Sequence, residues 1–88
     1  MNSILLRKLI KKFNELRNPE CKAKTIKNKE DELVLEFTGS TASFSCCFDE
    51  HFEDLRYFFE DKGGIKLFIE DVKRENEEKF IVKYKIKN

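Results

Sequence analysis

The residues from Phe44 to Gly64, FSCCFDEHFEDLRYFFEDKGG, constrain the fold most. They set one amphipathic helix in mid-chain, between segments whose apolar residues alternate. Phe52, Leu55 and Phe59 recur at i, i+3 and i+7, the period of a single buried helical stripe. Asp49 is a suitable N-cap, because its carboxylate can accept an unpaired amide of the first turn. Glu50 and Glu53 follow, where negative charge suits the helix dipole. Gly63 follows the last periodic turn and is the expected left-handed stop. At 100° per residue, Glu50, Glu53, Asp54, Tyr57 and Asp61 gather on the face opposite the stripe. An aromatic therefore stands in the middle of an acidic surface, with Phe58 on its flank near His51 and Lys62.

A first helix runs from an Asn2 or Ser3 cap to about Arg17. Leu5, Leu6, Leu9, Phe13 and Leu16 form its apolar stripe, with Ile10 at the edge. Arg7, Lys8, Lys11 and Lys12 project from the other side. Pro19 ends it, because the residue before a proline is pushed out of the α region. Cys21 to Lys27 reads as a strand with weak alternation. A second, half-buried strand carries Leu33, Leu35 and Phe37 on one face. Gly39-Ser40 suits a two-residue hairpin turn. A third strand then sets Ala42, Phe44, Cys46 and Phe48 against Thr41, Ser43, Ser45 and Cys47.

Beyond the central helix, Ile65, Leu67 and Ile69 alternate on a fourth strand, and Lys73 to Glu78 reads as a charged loop. The last strand, Phe80 to Lys87, turns Phe80, Val82, Tyr84 and Ile86 inward and Ile81, Lys83, Lys85 and Lys87 outward. The order α-β-β-β-α-β-β defines a single small α+β domain over residues 1–88. Its sheet is expected to be mainly antiparallel, with both helices on one face. A crossing by the second helix between parallel strands is the alternative, and would make part of the sheet mixed.

Eighty-eight residues suffice for one domain with a modest core. Charged residues make up 40% of the chain, yet the net charge is +1. Such balance argues against a ligand held by overall charge and leaves room for local patches. No apolar run approaches the roughly 20 residues of a membrane span. Basic residues interrupt the apolar N-terminal segment at every turn, unlike the core of a signal peptide. These features point to the cytoplasm. Three cysteines do not make a secreted disulfide framework. The absence of Gln and Trp beside abundant Lys, Glu, Ile and Phe resembles thermophile usage, which an AT-rich genome would also produce.

Cys46-Cys47-x-x-x-His51, with Cys21, is the one cluster that resembles a metal site. A tetrahedral zinc site needs converging ligands, and adjacent cysteines on a strand point to opposite faces. The cysteines are therefore expected to pack as small hydrophobes, with no metal or cofactor. Cys47 and His51 raise a nucleophile-base pair as the catalytic reading. Asp49 and Glu50 beside them disfavour a thiolate, and no glycine-rich turn offers an oxyanion hole. The expectation is a protein that is not an enzyme. Phosphate-loop, dinucleotide and EF-hand motifs are absent.

In element order, the segment α-β-β-β-α resembles the double-stranded-RNA-binding domain. That family meets phosphates with lysines at the N-terminus of its second helix. Asp49, Glu50 and Glu53 stand at the matching positions here and would repel them, so the family's function is not expected to carry over. Two interaction surfaces remain. The leading one is the acidic face of the second helix, Glu50, Glu53, Asp54, Tyr57, Phe58 and Asp61, meeting a basic protein partner or a second copy of the chain. The alternative is nucleic acid held by Lys83, Lys85 and Lys87 on the last strand, or by Arg7, Lys8, Lys11 and Lys12 on the first helix. Lys22 and Lys24 could join the strand group, and Phe68 is the one aromatic placed to stack beside it.

Overall fold

Alternating burial along the second of two neighbouring segments, and one buried alanine in the first, mark the first hairpin. Lys22–Asn28 (β1) and Glu32–Thr38 (β2) pair antiparallel, with Ala23 opposite Phe37. In β2, Leu33, Leu35 and Phe37 are fully buried while Glu32, Val34 and Glu36 stay partly exposed, as a strand with one covered face requires. The structure is a computed structural model that describes residues 1–17, 20–39 and 50–87. The expected third strand, the Gly39-Ser40 turn, the Pro19 stop and the Asp49 cap fall wholly or partly outside those residues.

Helix α1 spans Ser3–Arg17 and α2 spans Glu50–Gly63. The Asn2 side chain caps α1 by accepting from the amides of Ile4 at 2.8 Å and Leu5 at 3.2 Å. Strand β3, Lys66–Asn76, follows α2, and β4, Lys79–Lys87, closes the chain. The sheet order is β1-β2-β4-β3, antiparallel throughout. Both β2 and β3 run antiparallel to β4, so they are parallel to each other with β4 between them. Helix α2 therefore crosses from β2 to the far edge, and β4 returns through the middle. Among the described residues no mixed sheet is formed.

Both helices cover one face. Leu6, Leu9 and Phe13 of α1 and Phe52, Leu55 and Phe59 of α2 join the inward residues of all four strands in one cluster. Edge-to-face aromatic contacts run through it, from Phe13 to Phe37 at 6.4 Å, Phe37 to Phe52 at 4.8 Å and Phe52 to Phe80 at 5.5 Å. The fully buried Tyr84 of β4 donates its hydroxyl to the Phe52 carbonyl at 2.8 Å, which ties the central strand to the first turn of α2.

Three expectations are corrected. Leu16 is 66% exposed: its helical angle matches that of Leu9, but in the last turn no described element covers it. The left-handed stop after α2 is Gly64, at φ 65°, not Gly63. Gly63 instead sits close to α1, where a Cβ would stand 2.9 Å from Leu9 Cδ1 and the leucine side chain would have to shift. Finally, residues 73–76 are strand rather than loop, and only Glu77 and Glu78 make the turn. They contain no apolar residue because the end of the hairpin projects with both faces wet, while backbone pairing to β4 still holds them extended.

Candidate nucleic-acid interface

Neither helix packs on the second face of the sheet. The strand registers decide what that face carries. On β4 it shows Lys79, Ile81, Lys83, Lys85 and Lys87, and on β2 Glu32, Val34, Glu36 and Thr38. Edge strand β1 adds Lys22 and Lys24, then Ile26 and Lys27 at a bulge. Edge strand β3 adds Lys66 and Phe68, then Glu70, Asp71 and Lys73 after its own bulge. Lysines outnumber carboxylates on this face, although the whole chain is nearly neutral. Charge is therefore segregated across the sheet.

The centre of the face is partly neutralised. Lys83 Nζ lies 2.8 Å from Glu32 and Lys79 Nζ lies 3.1 Å from Glu36. The hydrogen bond to Glu36 holds Lys79 above the usual lysine range. Around this pair-bridged strip, Lys22, Lys24, Lys66 and Lys85 are exposed and make no ion pair among the described residues. Lys87 lies 5.4 Å from the centroid of the Phe68 ring. Phe68 is 44% exposed on β3, directly across from Lys85 and two residues from Lys66.

Of the expected lysines, Lys85 and Lys87 are free to meet a ligand, whereas Lys83 is half-buried and engaged. Arg7, Lys8, Lys11 and Lys12 are exposed on α1, so they lie on the opposite side of the molecule from the open sheet face. The two basic groups are separate surfaces. Lys66 joins the face without having been expected there, although its alternation with Leu67 already turned it outward.

The acidic face of α2 is more internally satisfied than its sequence suggests. Arg56 reaches back to Glu53 at 2.8 Å, and its guanidinium covers the Tyr57 ring at 4.8 Å. Arg17 of α1 pairs with Asp54 at 3.0 Å, bridging the two helices. Lys62 lies 3.6 Å from Asp61. Glu50 is exposed, and Tyr57 is 58% exposed. Phe58 turns towards the core and meets Phe13 edge-on at 6.0 Å.

Cys21 is buried, and burial pushes its thiol up to about 12. His51 is half-buried, with its pKa lowered by burial and then by Arg17, against the opposing pull of Asp54, Glu20 and Glu50. Cys46 and Cys47 lie outside the described residues. Among the described residues, no three histidine, cysteine or carboxylate groups gather as metal ligands, and no helix is long and apolar enough to cross a membrane. No known protein family, curated protein or solved structure matches the chain.

Proposed function

We propose that this chain is a non-enzymatic binding module that holds nucleic acid on the open face of its sheet. The observation that carries this reading is the set of exposed lysines around that face that make no ion pair among the described residues, Lys22, Lys24, Lys66 and Lys85, on a chain of net charge +1. A neutral chain gains little from long-range attraction, so a local lysine lattice is what remains to meet phosphates.

The test is the salt dependence of oligonucleotide binding. Wild-type affinity falls linearly on a log-log plot as counterions are released. Replacing Lys22, Lys85 and Lys87 by Gln weakens binding and lowers the slope by about 0.7 for each phosphate of a single strand that is no longer neutralised. Lys83 is left intact, because its removal would strand Glu32. Unchanged binding in the triple variant, with weakened binding on replacing Lys11 and Lys12, would overturn the reading and move the site to α1.

A second reading rests on Tyr57, exposed on α2 among Glu50, Glu53 and Asp61. Tyrosine is enriched among interface anchors, and this surface would receive a basic protein partner or the basic side of α1 from a second copy.

A further inference from the structure

The end of the sheet where β3 begins concentrates three features. Phe68 presents an exposed ring. Lys66, Lys85 and Lys87 surround it, on the same strand, directly across, and 5.4 Å over the ring. Beside them lies a groove of about 940 Å³, lined by Lys66, Phe68 and Lys87 together with Met1, Glu30 and Ile65. That volume lies within the roughly 300–1,000 Å³ of small-ligand sites.

We infer that this corner is a stacking subsite for one unpaired base of a single-stranded nucleic acid, with Phe68 as the platform and Lys66, Lys85 and Lys87 holding the adjoining phosphates. This rests on the sheet-face reading and narrows it. An aromatic on a flat, open strand face can reach only a base whose π-face is free. Duplex bases are stacked on one another, and a duplex would need an element shaped to enter a groove. The open sheet offers none. Charge complementarity selects a polyanion, and the ring selects one with aromatic faces. Lys87 sits over the ring, so a base that stacks on Phe68 displaces that ammonium, which is then positioned to meet the base's own phosphate. Glu30 is the one carboxylate among the groove residues.

The ring is surface-exposed, so Phe68 can be changed with little demand on the core. Fluorescence anisotropy of labelled 12-mers, single-stranded and duplex, over a salt series tests the inference on the intact chain. The single strand is expected to bind more tightly than the duplex. Phe68→Ala should weaken single-strand binding roughly tenfold or more, leave duplex binding and the salt slope unchanged, and keep the wild-type urea midpoint. Phe68→Tyr should restore it. Equal binding of single strand and duplex, or wild-type affinity in Phe68→Ala, would overturn the stacking subsite while leaving a phosphate-binding face. Absence of binding by either nucleic acid at low salt would overturn the sheet-face reading and this inference together.

Discussion

His51 shows how one residue's environment sets a pH response. It stands in the first turn of α2, half-buried, where desolvation favours the neutral ring and Arg17 adds a like-charge penalty. Its folded pKa therefore lies below the ordinary 6.5. The unfolded chain binds a proton here more readily than the folded one. The stability linked to His51 is thus fully present above pH 6.5 and is lost as pH falls through the lowered folded pKa. Urea midpoints measured downward from pH 7 should fall in the wild type and fall less in His51→Gln. Parallel curves would show that the carboxylates of Asp54, Glu20 and Glu50 cancel the effects of burial and Arg17 at this ring. The sequence showed His51 near the start of a helix. That Arg17 would reach the same corner from α1 depended on how the helices pack.

At the scale of elements, the two sheet edges are closed by different means. On β1, Asn14 of α1 accepts from the Ala23 amide at 2.7 Å and donates to the Ala23 carbonyl at 2.9 Å, filling two of the backbone positions that another strand would use. On β3, two bulges and a run of charged residues interrupt the ladder. Both devices suppress edge-to-edge pairing. Asn14→Ala should cost about 1–2 kcal/mol from two part-buried hydrogen bonds. It should also raise light scattering during mild heating, as the freed edge recruits other chains. A variant with the wild-type midpoint would show that water replaces Asn14 at no cost. The helices and the faces of β2 and β4 were legible because burial imposes periods of 3.6 and 2 along the chain. The β3 extension was not legible. Lys73 to Asn76 bury nothing, and only the hydrogen bonds to β4 hold them extended.

For the whole molecule, the sheet divides two charged surfaces. Its open face is basic, and the helical side carries both the acids of α2 and the cations of α1. The Arg17–Asp54 pair already satisfies part of that attraction within one molecule. A dimer through the helical side would use the remaining exposed groups around Tyr57 and Lys11. Sedimentation velocity at low and high salt checks it: in that reading a salt-sensitive dimer shifts to monomer in both Tyr57→Ala and Lys11→Glu. A monomer at every concentration would remove self-association and leave the open face unaffected.

The sequence by itself determined which residues of each helix and strand turn inward, since apolar spacing is local and burial enforces it. Phe52, Leu55 and Phe59, the strand residues Leu33, Leu35 and Phe37, and Val82, Tyr84 and Ile86 are all buried where their periods put them. Only the tertiary structure decided that β4 runs between β2 and β3. That order sets Lys83 against Glu32, leaves Lys85 beside Phe68, and turns separate lysines into one surface. The physical reason is that cross-strand neighbours are chosen by hydrogen-bond register between distant segments. No spacing along the chain encodes that choice, and the bulges at Glu70 and near Ile26 shift it by a residue each.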